Sequence, residues 1–383
     1  MFAAHQRLGA RLVEFGGWEM PVQYTSIVEE HLAVRRAAGL FDISHMGEFL
    51  VNGPGAAAFL NHALTNDIRR LAVGQGQYTL LCKPAGGVVD DLYVYRIRDN
   101  EFLLIVNAAR IAADWDWLQT QVDRAPTRGG LQLRDASADH GALAAQGPRV
   151  ADFIGEVIPG GSIGGALAPQ VTALEKNQIG GFAFRGTSLL VARTGYTGED
   201  GFEVFVPAAH LEAVWEALIA SGVRHGLRPA GLGARDTLRT EMGYPLYGHE
   251  LTEEMTPIEA GLGTFVAFDK GDFVGRAALE AQKAAGPRRR CVAFRMAGKS
   301  APPRPGYPIW GPGPDATVVG TVASGTQSPS LGIGIGLGYV ASECARPDQA
   351  IAIEIRGQRA PATVVRKPIY RAKGSGPMLS PLA

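Results

Sequence analysis

The chain has 383 residues, and its 37 Lys and Arg residues are balanced by 37 Asp and Glu residues. This zero formal charge argues against an electrostatic binder of nucleic acid, because such proteins usually carry a basic excess. The hydrophobic fraction of 46% is typical of a globular chain. No apolar run reaches the roughly 18–20 residues that span a bilayer. We therefore expect a globular protein of two or three domains that binds neither nucleic acid nor a membrane.

The three cysteines, Cys82, Cys291 and Cys344, are far apart and form no Cys-x-x-Cys pair. This spacing predicts neither a zinc ribbon nor a dithiol redox motif. A sparse, odd count is typical of a reducing compartment, and the first residues lack the apolar stretch of a secretory signal. We expect a cytoplasmic protein. His45 and Glu48 have no second His-rich segment to join them, so we expect no metal site.

The first predicted helix runs from Ser26 to Ala38. Ser26 and Glu29 have the spacing of a capping box, and Gly39 is expected to end the helix in a left-handed conformation. A strand over 47–51 and a helix over 56–63 follow.

The segment 77–106 has the pattern of a three-stranded meander. Its apolar runs cover 78–81, 88–97 and 102–106, and turn-forming residues separate them at 83–87 and 99–100. Asn107 is then expected to cap a helix that runs to about Val122.

The second half predicts strands at 189–191 and 202–206 and helices at 210–220 and 234–240. Near residue 285 the composition changes to Pro, Gly and short alternating strands, which predicts a separate small β domain. Its predicted strands are 292–296, 317–322, 337–340 and 351–355.

Asp90 and Asp91 open the second strand of the meander, where successive side chains point to opposite faces. If the hairpin closes around Pro84 and Ala85, Tyr78 lies near Asp91 across the ladder. A carboxylate beside a phenol in a cleft is a candidate proton acceptor. A solvated acidic strand end is the alternative, and the pattern alone favours it.

Two other polar segments leave their role open. The Gly-rich loop 195–201 is either a simple hairpin turn or a loop that contacts a ligand through Tyr196. The charged residues Arg235, Asp236, Arg239 and Glu241 form either a solvated helix face or a buried Arg fork that binds a carboxylate.

Seven motifs in order decide between these alternatives. Together they closely resemble the glycine cleavage T-protein family of aminomethyltransferases along essentially the whole chain. The segments that carry the resemblance are 15–21 (Phe-Gly-Gly-Trp-Glu-Met-Pro), 39–46, 86–92, 195–201, 233–236, 245–248 and 324–331.

The resemblance implies an α+β fold, a three-domain cloverleaf. Two interleaved α/β domains within 1–284 would surround a central folate cavity, and a β-barrel-like domain would occupy 285–383. It also implies the reaction, a step of glycine catabolism and one-carbon metabolism. An aminomethyl group on the dihydrolipoyl arm of H-protein would give its methylene to tetrahydrofolate, with release of ammonia and formation of 5,10-methylene-tetrahydrofolate.

The family's catalytic aspartate matches Asp91. The resemblance therefore favours a functional role for the pair Asp90 and Asp91 over a solvated acidic strand end. Its implied role is to position the folate and the aminomethyl group and to assist proton movement at the attacking nitrogen. Glu203 would accept from the pterin's donor edge, and Arg235 would order carboxylates and the lipoyl arm. The positions that match folate contacts are Met46, Tyr78, Asn107, Tyr196, Glu203 and Arg235, with Tyr370 as a further candidate.

Two other classes share such a fold. A folate-dependent demethylase of small substrates is disfavoured by the intact motifs at Asp91 and Arg235. A folate-binding iron–sulfur maintenance protein carries Cys in a Lys-Gly-Cys-Tyr-x-Gly-Gln motif, whereas the segment 193–199 contains none. Residues 1–4 differ from the usual start of the family pattern, and this difference lies outside the folate motifs.

Overall fold

A computed structural model describes residues 1–124, 130–313 and 316–371 and contains both helices and strands. The described chain forms two compact units. The first contains 1–81 and 90–235, and the second contains 82–89 and the residues from Asp236 onward. The boundary expected at 284/285 stays a prediction.

A helix is present at each position where one was predicted, but the predicted end of the second helix is wrong. Ser26 caps the second helix, because its Oγ accepts from the Glu29 N–H at 3.2 Å. That helix ends at Arg36, however, and Gly39 lies inside the next strand, so the predicted glycine cap is wrong. A buried strand begins too soon after the helix to leave room for it. The helices are α1 Phe2–Arg7, α2 Ile27–Arg36, α3 Ala56–Ala63, α4 Ile111–Arg124, α5 Ile154–Val157, α6 Leu211–Gly222, α7 Leu232–Met242 and α8 Arg276–Ala285.

The strands of the first unit form a hairpin, β1–β2, and two larger sheets. The predicted meander is confirmed as the run β5-β6-β7 in a sheet of order β5-β6-β7-β4-β8. The other sheet has the order β10-β11-β12-β13-β9-β3-β14. The strands are β1 Arg11–Phe15, β2 Trp18–Gln23, β3 Ala38–Asp42, β4 Gly47–Asn52, β5 Gly76–Cys82, β6 Val88–Arg98, β7 Glu101–Val106, β8 Gln132–Asp135, β9 His140–Gln146, β10 Gly164–Gly165, β11 Ile179–Phe184, β12 Thr187–Ala192, β13 Gly201–Pro207 and β14 Leu227–Pro229.

These two sheets face each other inside the first unit. The rings of Tyr95 on β6 and Phe205 on β13 meet edge to face, with centroids 6.4 Å apart. The Tyr95 hydroxyl also lies 2.8 Å from Thr194 Oγ1, just beyond β12. The space between the sheets therefore receives side chains from both.

The second unit contains a closed six-stranded barrel, which confirms the predicted carboxyl-terminal β domain. The sequence pattern missed β16 and β20, because β16 is short and β20 contains Pro361 and several polar residues. The barrel closes in the order β15-β18-β17-β16-β19-β20. Its strands are β15 Arg289–Met296, β16 Pro308–Trp310, β17 Val318–Gln327, β18 Gly334–Ala341, β19 Ala350–Ile355 and β20 Gln358–Val365.

Among the helices of residues 1–124, 130–313 and 316–371, none is long and apolar enough to cross a membrane.

Candidate functional site

Asp91 lies at the start of β6 and is held from two sides. The Tyr78 hydroxyl on β5 donates to Asp91 Oδ2 at 2.8 Å. The Asn107 side-chain amide, just after β7, lies 3.0 Å from Asp91 Oδ1. The meander thus fixes both carboxyl oxygens, and only a minor part of the Asp91 surface stays exposed.

Asn107 lies at the N-cap position that the sequence predicts, but it does not cap through its side chain. Its side chain makes no cap hydrogen bond, and a 3₁₀ turn precedes α4. The amide instead donates towards Asp90 Oδ1 and Asp91 Oδ1, each 3.0 Å away, while the Asn107 N–H reaches Asp90 Oδ2 at 3.1 Å. The Asn107 side chain therefore serves as a donor to two carboxylates, and its oxygen accepts no hydrogen bond from the N–H groups at the start of the helix.

Asp90 points to the opposite face of β6 and is fully buried against Asp114 of α4. Neither Asp114 oxygen accepts a hydrogen bond from the described residues. Burial and the charge of Asp90 raise the pKa of Asp114 far above its usual range. Of two buried carboxyl groups in contact, one is expected to hold a proton, and the raised pKa favours Asp114 as the group that donates it to the Asp90 carboxylate.

Burial and the negative charge of Asp90 raise the pKa of Asp91 to about 7, against the opposing hydrogen bonds from Tyr78 and Asn107. Burial and the Asp91 charge raise the pKa of Tyr78 well above its usual value, so the phenol keeps its proton. A carboxyl group with a pKa near neutrality can both accept and return a proton.

A cavity opens between the two sheets beside this centre. Ile105 on β7 lines this cavity and precedes Asn107, which binds Asp91, by two residues on the same chain segment. The walls are mainly apolar, with polar groups at a few points. The lining residues are Phe41, Ile43, Met46, Ile105, Ala144, Gln146, Tyr196, Thr197, Glu203 and Arg235.

Glu203 on β13 is the acidic group of this cavity. The Thr194 hydroxyl donates to Glu203 Oε2 at 2.6 Å, and the Tyr95 hydroxyl lies 2.8 Å from Thr194 Oγ1. Burial raises the pKa of Glu203, whereas the Thr194 hydrogen bond and the Arg235 charge oppose that shift. A carboxylate offers about four acceptor positions, so Glu203 keeps capacity for donors inside the cavity.

Arg235 on α7 lies over the Tyr196 ring, with its guanidinium carbon 4.3 Å from the ring centroid. This cation–π contact orients both side chains towards the cavity that they line. Arg235 thus supplies the positive charge that faces Glu203.

The loop 195–201 joins two paired strands, as the hairpin alternative predicts, and its contact with a ligand stays a prediction. It connects the paired strands β12 and β13, and its Tyr196 and Thr197 line the cavity. Two hydrogen bonds anchor the loop to Gln146. Gln146 Nε2 donates to Thr194 O at 3.0 Å, and Thr197 Oγ1 donates to Gln146 Oε1 at 2.9 Å. A Cβ added at Gly195 would lie 1.8 Å from Gln146 Oε1, so this close approach requires glycine.

The charged helix residues separate into two environments. Arg235 belongs to the first unit, whereas Arg239 belongs to the second. Arg239 is only 2% exposed and donates to Glu250 Oε2 at 3.0 Å and to Ser324 Oγ at 2.8 Å. The solvated-face interpretation is therefore wrong for Arg239, whose carboxylate partner is part of the protein.

Six of the predicted folate contacts lie together in the first unit. Met46, Tyr196, Glu203 and Arg235 line the cavity, while Tyr78 and Asn107 bind Asp91. Tyr370 belongs to the second unit, where its N–H donates to Glu241 O at 3.0 Å. The assignment of these residues to folate stays a prediction.

Sequence reasoning missed Asp114, Thr194, Tyr95 and Gln146. Only Asp114 had a usable signal, since it precedes the buried Leu118 by one helical turn and so shares its face. Within the described parts of the chain, no group of three or more His, Cys, Asp or Glu side chains is placed to hold a metal ion.

Comparison with known proteins identifies the class of protein. The model for the GCVT N-terminal domain matches residues 1–270, and the model for the glycine cleavage T-protein C-terminal barrel domain matches residues 289–371. The chain therefore belongs to the glycine cleavage T-protein family of aminomethyltransferases.

Individual relatives agree over nearly the full length. The aminomethyltransferase of Symbiobacterium thermophilum is 46% identical over 97% of this chain and 96% of its own. That of Geobacillus kaustophilus is 45% identical over 97% and 98%. The crystal structure of glycine cleavage system aminomethyltransferase T from Bartonella henselae superposes with a TM-score of 0.86 at 32% identity, covering 96% of each chain.

Proposed function

We propose that this protein transfers the methylene of an aminomethyl group, carried on the dihydrolipoyl arm of H-protein, to tetrahydrofolate. The products are ammonia, 5,10-methylene-tetrahydrofolate and the reduced arm. Family membership supports the reaction class. The observation that carries the proposal is Asp91, held by Tyr78 and Asn107 beside a cavity that contains Glu203 and Arg235.

The cavity fits the chemistry of a pterin. Its apolar walls, which include Met46 and Ile105, suit a flat ring, and Tyr196 offers an aromatic face. Glu203 retains acceptor positions for paired N–H donors. Glu203 would hold the donor edge of tetrahydrofolate, which supplies the accepting nitrogen when it is bound.

The Asp91 centre supports the proton movement of the transfer. With a pKa raised to about 7, the Asp91 carboxyl can take a proton from the attacking nitrogen and return one to the departing amine. Tyr78 and Asn107 hold one carboxyl oxygen each, so the group presents a fixed geometry. Arg235, fixed over Tyr196, would bind carboxylates or order the lipoyl arm.

The proposed partner is lipoylated H-protein, and the proposed compartment is the cytoplasm. Neither a metal nor a nucleic acid has a role in this proposal.

The test is ammonia release from aminomethyl-loaded H-protein, measured with and without tetrahydrofolate. We expect fast, folate-dependent release with an equal amount of methylene-tetrahydrofolate. Asp91→Asn should lower turnover by about 100-fold or more while folate binding changes far less. Asp99→Asn, at the exposed turn between β6 and β7, is the matched control.

Folate binding without stimulated ammonia release would point instead to a demethylase of small substrates or to a folate binder without transferase activity. Wild-type turnover by Asp91→Asn would remove the role proposed for Asp91.

A further inference from the structure

A second pocket lies in the space between the two sheets of the first unit, and it shares no lining residue with the Glu203 cavity. Its volume is about 320 Å³, within the range of small-molecule sites. Glu48 and Leu50 of β4 line it from one sheet, and Leu190 and Phe205 line it from the other. The mouth lies at the exposed residues Arg98 and Ser188.

Glu48 points into this pocket because of the strand's alternation. Its neighbour Phe49 is buried on the opposite face, where its ring lies 5.5 Å from that of Trp115. Glu48 and Leu50 therefore share the face that lines the pocket. Glu48 is only 2% exposed, and neither of its carboxyl oxygens has a hydrogen-bond partner among the described residues.

A buried carboxyl group without hydrogen-bond donors destabilises the folded protein, and a ligand that supplies donors would remove this destabilisation. Burial and the negative charge of Asp135 raise the pKa of Glu48 to about 9. Among the other charged residues that line the pocket, Arg98 at the rim forms an ion pair with Glu101 and not with Glu48. His140 faces the pocket with its Nδ1 3.3 Å from Ala136 O.

The remaining wall is apolar. Ile97 and Leu103 join Leu50, Leu190 and Phe205 around the Glu48 carboxyl. A matching ligand needs an apolar body and a group of N–H donors at one end, and the field of Asp135 favours a positive charge on that group.

We propose that this pocket binds a small organic cation, an amidinium or primary ammonium group on an apolar body, with the Glu48 carboxylate as the acceptor of its N–H groups. An amidinium presents two parallel donors, which match both oxygens of one carboxylate. Glu48 releases its own proton to solvent as the cation enters, so charge balances within the pocket.

The test is calorimetric titration of the full chain with benzamidine at pH 6, 7 and 8. We expect up to one proton released per ligand, measured by comparing buffers of different ionisation enthalpy. The affinity should rise by roughly tenfold per pH unit, because the ionised fraction of Glu48 grows by that factor below a pKa of about 9. Glu48→Gln should lower the affinity at pH 8 at least tenfold and abolish the proton release.

Two further variants keep the proposal testable if Glu48→Gln fails to fold. Ser188→Trp at the exposed rim should block entry, whereas Glu101→Gln should change the affinity by less than about threefold, as an already paired rim group would. Benzamide, the neutral analogue, should bind weakly without proton release. Equal binding of benzamide, binding that survives Ser188→Trp, or no benzamidine binding at pH 8 would each overturn the proposal.

Discussion

The Tyr78 hydroxyl donates to Oδ2 of Asp91 at 2.8 Å, from one strand of the meander to the next. The hydrogen bond stabilises the ionised form of Asp91 and opposes the burial that raises its pKa. Two effects of opposite sign therefore bring the pKa of Asp91 to about 7.

Tyr78→Phe should raise the pKa of Asp91 above its value of about 7, because the lost donor favoured the carboxylate. If turnover requires ionised Asp91, the acid limb of the pH–rate profile should move to higher pH. Turnover at pH 7 should fall roughly 10- to 100-fold, the size of a lost hydrogen bond to a charged group. The pH dependence of kcat for both forms checks this, and an unmoved limb would contradict it.

Asp114→Asn should stabilise the protein at pH 8. In the unfolded chain Asp114 loses its proton near pH 4, whereas the folded state keeps the proton because burial and Asp90 raise the pKa. Folding thus takes up a proton above pH 4, and stability falls as pH rises through this window. Asparagine needs no proton and can still donate to Asp90.

Thermal unfolding at pH 5 and pH 8 measures this effect. The gain in Tm from Asp114→Asn should be larger at pH 8 than at pH 5. Asp116→Asn, on the exposed face of the same helix, should change Tm little at either pH. A destabilised Asp114→Asn at pH 8 would contradict the expectation that Asp114 keeps its proton in the folded state.

Glu203→Gln should weaken tetrahydrofolate binding by about 10- to 100-fold, because an amide replaces the charged acceptor inside the cavity. Thr194→Val should have a smaller effect, since it removes only the hydroxyl that orients Glu203. Equilibrium fluorescence titration gives both constants. If Thr194→Val proves the more damaging change, Glu203 is not the main folate anchor.

Gly195→Ala should destabilise the protein by about 1–3 kcal/mol, because the added Cβ would lie 1.8 Å from Gln146 Oε1. Gln146 would have to move and lose its bonds to Thr194 and Thr197, so folate affinity should fall as well. Gly164→Ala, where a Cβ meets no described atom within 4 Å, is the control. Chemical denaturation of both variants checks the difference.

Local pattern was sufficient for much of the fold. The meander followed from three apolar runs with strong turn residues between them, and Ser26 was recognisable as a cap from its spacing to Glu29. The same kind of pattern was wrong for the helix end at Gly39 and for the side-chain cap at Asn107, where tertiary contacts outweighed local preference. Gly39 lies inside the buried strand β3, and the Asn107 side chain donates to the carboxylates of Asp90 and Asp91.

The sequence alone determined the family, the order of the main elements and the proximity of Tyr78 to Asp91, because each depends on short spacing or on long ordered motifs. Only the tertiary structure decided which polar groups are buried together. It brought Asp114 against Asp90, set Thr194 beside Glu203, and left the Glu48 carboxyl in an apolar pocket. Burial and partner choice depend on how two sheets face each other, and the spacing of residues along one chain does not contain that information.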